Sequence, residues 1–118
     1  MTISIYGGVM RICFVHEEYP LETNFGGIAT YQKIMAEYYA NNGDDVYVVT
    51  RGKHNNKYVE NKVNIIRIAS ENNPNNINSI KDYRKKVAKI LIELQKKNFI
   101  LYILQRYRHN FIFEKKRL

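Results

Sequence analysis

Residues 10–50 read MRICFVHEEYPLETNFGGIATYQKIMAEYYANNGDDVYVVT and indicate a strand, a loop, a helix and a second strand in that order. The segment Arg11–His16 is short and apolar, as strands buried on both faces of a sheet are. Gly26 and Gly27 lie where the loop turns into the helix, and Gly43 follows the helix as a C-terminal stop. A β-α-β order of this kind is typical of a parallel sheet.

The rest of the chain extends the same pattern to about residue 104. The predicted elements are a helix at Ile28–Asn41, strands at Val46–Arg51 and Val63–Ala69, a second helix from Ile80 to about Lys97, and a strand at Phe99–Leu104. Ser79 and Asp82 are predicted to form the capping box of the second helix. Gly52–Lys62 is polar and is predicted to be a loop. We therefore predict an α/β fold, a partial Rossmann-like open parallel sheet in the order β-α-β-β-α-β, with helices on its faces.

Four further details of these elements can be tested. The first helix carries Ile28, Tyr31, Met35 and Tyr38 at helical spacing, which predicts its apolar face. Asn64 and Arg67 interrupt the third strand and predict a position near the sheet edge. Cys13 is predicted to be a small buried hydrophobic residue, because it lies within the first strand. Without a second cysteine it cannot form an internal disulfide, which fits a reducing compartment.

Several motifs in this region carry a family resemblance. They are Met10-Arg11-Ile12, Glu18-Tyr19-Pro20, Gly26-Gly27-Ile28 and, at residues 43–50, GDDVYVVT. In this order and at this spacing they resemble the start of a family 4 glycosyltransferase of the GT-B type. The resemblance covers Met10 to about Asn98 and weakens after Arg51.

The resemblance implies a function for a larger enzyme. A GT-B transferase has two doubly wound domains, and a chain of 118 residues is too short for both. Residues 10–98 are therefore expected to be the N-terminal, acceptor-side portion, with a C-terminal domain missing. The full enzyme would move a sugar from a nucleotide-sugar to a carbohydrate or lipid-linked acceptor with retention of configuration. It would need no cofactor besides the donor substrate and no metal, and this portion alone would be inactive.

The Gly26-Gly27 turn is the first expected binding element. Free backbone N–H groups at the start of a helix suit a phosphate, and glycine allows the ligand to approach closely. In the resembled enzymes this loop borders the donor phosphates and the acceptor. Their glucan-synthase relatives carry Lys-Thr-Gly-Gly here, whereas this chain has Asn24-Phe25-Gly26-Gly27, so the role of that lysine is not carried over. The alternative is a glycine turn that serves only the fold.

Two charged side chains complete the expected binding set. Glu18, with His16 and Glu17, follows the first strand, where a carboxylate can accept hydrogen bonds from sugar hydroxyls. Arg51 ends the second strand at the same edge and suits an anionic acceptor group or phosphate. The alternatives are a solvated loop edge and a surface arginine. No catalytic base is assigned, because the family's main donor-binding carboxylates lie in the missing domain.

The positive charge is confined to the last third of the chain. Residues 81–118 contain 12 Lys or Arg and 3 Asp or Glu, whereas residues 1–80 contain 7 and 8. Aromatic residues alternate with these cations, as in single-strand binders, so a small basic module for single-stranded nucleic acid or an anionic surface is the alternative function. A solvated helix face joined to a non-native tail gives the same composition.

Both ends of the chain depart from the pattern. Residues 99–118 lack the acid that follows the first aromatic residue of this strand in the resembled family, and we expect a basic tail created by a frame shift or truncation. Residues 1–9 are expected to be an unstructured leader before a start at Met10. No segment has the roughly 20 apolar residues of a membrane span. We expect a cytoplasmic protein, with peripheral membrane contact as an option.

Overall fold

The computed structural model describes residues 9–20, 27–70, 76–107 and 110–117. Within these ranges the chain forms a six-stranded sheet and two helices, which confirms the α/β class. The elements are β1 (Arg11–Val15), α1 (Gly27–Asn41), β2 (Asp45–Gly52), β3 (Asn56–Glu60), β4 (Val63–Ala69), α2 (Ile77–Lys96), β5 (Ile100–Tyr107) and β6 (Asn110–Lys116). Residues 1–8 of the expected leader lie outside the described part.

The sheet is mixed rather than wholly parallel. Its strand order is β3-β4-β2-β1-β5-β6, and the four inner strands are parallel neighbours. Both edge strands are antiparallel to the strand beside them. Strand β4 accordingly lies second from one edge.

The prediction of a loop over Gly52–Lys62 is wrong at Asn56–Glu60, which forms β3. This strand returns through Asn61 and Lys62, which have φ values of 49° and 67°. Positive φ at both positions is typical of a two-residue hairpin turn. Tyr58 packs its ring against the core below, whereas Val59 is exposed. The strand was missed because it is short and lies at an edge, so most of its side chains are polar.

The two faces of the sheet carry separate cores, because neighbouring side chains along a strand point to opposite faces. Cys13 and Val15 of β1 face α2, where they pack with Leu91 and Leu94. Ile12 and Phe14 face α1. The burial predicted for Cys13 is confirmed, since its side chain is fully buried, and this burial raises the pKa of its thiol.

Helix α1 packs through small residues and not through the face predicted for it. Its buried positions are Ala29, Gln32, Ala36 and Ala40. Tyr38, predicted to be on the buried face, is 47% exposed. The buried stripe lies one to two positions further along the helix, because alanines allow the helix axis to approach the sheet while the tyrosines pack around the helix sides. Gly43, with φ of 93°, ends this region as predicted.

Helix α2 begins three residues earlier than predicted. The side-chain oxygen of Asn76 accepts a hydrogen bond from the Ser79 N–H at 3.1 Å, so Asn76 is the N-cap and the predicted capping box at Ser79 is wrong. Tyr83, Leu91 and Leu94 recur at helical spacing and are buried. In the described ranges, no helix has the length and apolar character needed to cross a membrane.

The C-terminal residues are part of the sheet. Strand β5 extends three residues beyond the predicted strand and lies directly beside β1, with Ile12 opposite Ile100. Phe113 of β6 contacts Phe14 and stacks on Tyr31, with ring centroids 4.7 and 5.3 Å apart. The expected domain boundary at residue 98 and the frame-shift origin of the tail both stay predictions.

Replacing Leu101 with alanine tests whether β5 carries the core. Leu101 is 1% exposed, so Leu101→Ala is expected to lower the free energy of unfolding by about 2–5 kcal/mol through lost apolar burial and a cavity. Ile112→Ala on β6, where the side chain is 47% exposed, is the control and should change it by less than about 0.5 kcal/mol. Urea titrations of the three proteins measure both values. Equal stability of the Leu101 variant and the wild type would contradict the placement of β5.

Candidate functional site

The segments that follow β1 and β2 meet at the carboxyl edge of the sheet. The His16 N–H donates a hydrogen bond to the Val49 carbonyl at 3.3 Å. The Arg51 Nη1 atom lies 4.0 Å from Glu17 Oε2, which is a long ion pair. Arg51 and the acidic segment Glu17–Glu18 therefore share one edge, as the sequence predicted. Of the other expected binding residues, Gly27 is the exposed first residue of α1, and Asn24 and Gly26 lie outside the described residues.

The backbone of Glu18 makes hydrogen bonds to two side chains. Its N–H donates to His16 Nδ1 at 3.1 Å, and its carbonyl accepts a hydrogen bond from Gln32 Nε2 at 3.0 Å. Gln32 is fully buried in α1, so this bond fixes the segment after β1 against the first turns of the helix. The position of Glu18 relative to the start of α1 is thus set by a buried amide, which the sequence analysis did not identify.

His16 is present in its neutral form at neutral pH. Burial lowers the pKa of its imidazole below the ordinary value of 6.5, against the opposing effect of the Glu18 and Glu17 carboxylates. Because Nδ1 accepts the hydrogen bond from Glu18, the ring proton of the neutral form is on Nε2. The imidazole therefore presents a donor on its far side.

A buried arginine ties this edge together. Arg67 of β4 is 2% exposed. Its Nε donates to the Tyr58 hydroxyl at 2.7 Å, and its Nη1 donates to the Arg51 carbonyl at 2.9 Å. Its Nη2 donates to the carbonyls of Tyr19 and Pro20 at 3.3 and 3.0 Å. One guanidinium thus connects β3, β2 and the segment that follows β1.

From the sequence, Arg67 indicates only a position near the sheet edge, and this role is not evident from it. The available signal was a single cation inside the otherwise apolar run VNIIRIA, where solvation is not possible. The planar guanidinium has donors in fixed directions, which suits a set of backbone carbonyls from different segments.

A cavity of about 500 Å³ opens beside the acidic segment, on the α2 face of the sheet. It lies between β1, β5 and α2 and is lined by Val15, His16, Glu17, Tyr83, Arg84, Val87, Ala88, Leu91, Ile103 and Leu104. Two of its polar residues, Tyr83 and Arg84, come from α2. Their contribution depends on how α2 lies over the sheet, which helix spacing does not specify.

No group of three His, Cys, Asp or Glu side chains in the described ranges is arranged to hold a metal ion. Comparisons with family models, curated proteins and solved structures give no match to this chain. The chemistry of this edge is therefore inferred from its residues and from the sequence motifs described above.

Substituting Arg67 tests its structural role. Arg67→Met fills a similar volume but leaves several acceptors unsatisfied, and we expect the free energy of unfolding to fall by about 2–4 kcal/mol. Arg67→Lys retains the charge but replaces the fork with a single ammonium, so an intermediate loss is expected. Lys57→Met on the exposed edge strand β3 is the control and should be near neutral. An Arg67→Met variant as stable as the wild type in urea would show that the guanidinium is dispensable.

The pKa of His16 predicts a pH dependence of stability. Below pH 6.5 the unfolded chain binds a proton at this imidazole more readily than the folded chain, so the stability contribution is present above 6.5 and is lost as the pH falls toward the folded pKa. His16→Asn keeps an acceptor for the Glu18 N–H but cannot titrate in this range. Unfolding free energies of both proteins between about pH 7.5 and 5 should show a smaller decline for the variant. Parallel curves would contradict the shift.

Proposed function

We propose that this chain is the N-terminal, acceptor-side portion of a GT-B glycosyltransferase. The complete enzyme transfers a sugar from a nucleotide-sugar to a carbohydrate or lipid-linked acceptor with retention of configuration. The portion described here is inactive by itself, because the main donor-binding carboxylates belong to a second domain. We place the enzyme in the cytoplasm. The basic residues in the last third of this chain are available for peripheral membrane contact.

The order of the inner strands supports this proposal. When the four parallel strands are numbered along the chain, β4-β2-β1-β5 becomes 3-2-1-4, which is also the order of the first four strands of a Rossmann-type sheet. Strands β2 and β4 follow one another on one side of β1. The chain then returns through α2, and β5 pairs with the other side of β1. In open α/β sheets of this kind, ligands bind outside the carboxyl ends of the strands where the order reverses. The transferases of the resembled family bind their substrates at such an edge.

The observation that carries the proposal is that Glu18, Arg51 and the start of α1 lie at the same edge of the sheet, where Arg51 pairs with Glu17 and the Glu18 carbonyl is bonded to Gln32 of α1. The helix start offers N–H groups and a partial positive charge, and Arg51 adds a guanidinium for phosphate oxygens. Glu18 supplies a carboxylate suited to sugar hydroxyls. These are groups for binding and for neutralising charge on a departing phosphate. They also agree with the motifs Glu18-Tyr19-Pro20 and Gly26-Gly27-Ile28, on which the resemblance rests.

A second candidate function is a small basic module for single-stranded nucleic acid or an anionic surface. It is favoured by a cleft of about 450 Å³ at the opposite end of β5. Lys115, Lys116 and Arg117 line this cleft together with Gln95 and Asn98. Lys116 lies 3.5 Å from Glu114, which offsets part of the charge, and the cleft adjoins the carbonyl end of α2, which disfavours anions. We therefore rank this function second.

An NMR titration of the isotope-labelled 118-residue chain distinguishes the two functions. UDP-glucose, GDP-mannose and the free nucleotides are added separately, and the amide resonances of Glu18, Gly27 and Arg51 are expected to shift. Arg51→Ala should weaken this binding about fivefold or more, because a charged contact to phosphate is lost. Lys57→Ala, which removes an exposed cation on β3, should leave it unchanged.

A transfer assay with the same chain should give no product with either donor. Product formation by the pure chain would contradict the statement that it is inactive alone. Absence of shifts at the edge, together with oligothymidylate binding that falls steeply with salt and shifts Lys115–Arg117, would replace the transferase proposal with the second candidate.

A further inference from the structure

The cavity between β1, β5 and α2 has the properties of a small-molecule site. Its volume of about 500 Å³ lies in the range of ligand pockets, which is roughly 300–1,000 Å³. Six of its lining residues are aliphatic: Val15, Val87, Ala88, Leu91, Ile103 and Leu104. The walls come from three regular elements, so the shape of the cavity is set by the core of the fold and not by a loop.

The cavity exists because α2 covers only part of its face of the sheet. Its buried residues Tyr83, Leu91 and Leu94 pack in one core with Val49 of β2, Ile66 of β4 and, near the start of β5, Leu101. The flank of α2 that faces β5 presents the small side chain of Ala88 at this level. Ile103 of β5 is consequently only partly buried. Apolar surface is left accessible in a concave region, which favours an apolar ligand.

Charged groups are found at the mouth of the cavity and not along its walls. Arg84 is exposed there, and none of the described acidic side chains forms an ion pair with it. The acid at the mouth, Glu17, lies 4.0 Å from the guanidinium of Arg51. The opening therefore has an excess of positive charge, with Arg84 available to a ligand.

We infer that this cavity binds an amphiphilic anion, with an apolar body against the aliphatic walls and an acidic group at Arg84. A sugar or nucleotide enclosed here would lose water from its hydroxyls with few partners in return, which costs free energy. A carboxylate, sulfonate or phosphate at the mouth gains a charge-assisted hydrogen bond from the guanidinium. This inference stands on the cavity alone and does not depend on the proposed transferase.

Two dyes with the same rings test the inference. Anilinonaphthalenesulfonate carries a sulfonate, and N-phenylnaphthylamine is uncharged. The sulfonate dye is expected to bind the folded chain at one site per molecule and about tenfold more tightly than the neutral dye. Arg84→Gln should remove most of this difference. Lys89→Gln, which removes a cation from an exposed position of α2 that does not line the cavity, should preserve it.

Substitutions that fill the cavity are the second test of the inference. Ala88→Trp places a large ring at the opening and should abolish binding of both dyes, while Lys89→Trp on the outer face should not. Because Ala88 is exposed, thermal unfolding is expected to stay close to that of the wild type. Competition by decyl phosphate and decanoate, but not by decanol, would support the assignment of an acidic head group and rank its two sources. Equal binding of both dyes, or binding unaffected by Arg84→Gln and Ala88→Trp, would overturn the inference.

Discussion

The buried guanidinium of Arg67 is the contact on which the geometry of the carboxyl edge depends. It donates hydrogen bonds to a tyrosine hydroxyl on β3, to a carbonyl of β2 and to two carbonyls after β1. A desolvated cation is costly unless its donors are satisfied, so the segments that carry these acceptors are held in fixed positions. In the sequence, Arg67 only interrupts an apolar strand. In the fold, its hydrogen bonds hold together the region where Glu18 and Arg51 lie.

Strand β1 divides this region into two sites with different chemistry. Toward α1 the edge is polar, with the buried amide of Gln32 bonded to the Glu18 carbonyl. Toward α2 it is aliphatic, with Arg84 and the Glu17–Arg51 ion pair at the opening.

The sequence was most informative where burial controls the residue type. The apolar strands β1, β2 and β4, the stop at Gly43 and the buried Cys13 follow from local pattern alone. Strand β3 could not be predicted, because an edge strand with solvent on several sides has little apolar content. The buried face of α1 was misplaced because tyrosine is amphipathic and packs at a helix margin, whereas alanine allows close approach. The roles of Tyr83, Arg84 and Arg67 depend on tertiary placement, which spacing along one helix or strand does not encode.

The pairing of β1 with β5 has a consequence for how the protein is made. Ile12 is aligned with Ile100, so the central strand of the sheet acquires one of its two neighbours only after the residues between these two have been synthesised. Contacts between such distant residues form slowly because loop-closure entropy is paid first. Until then one long edge of an apolar strand is open to other nascent chains, which is a common route to aggregation. We therefore expect translation speed and chaperone supply to affect the recovery of folded protein.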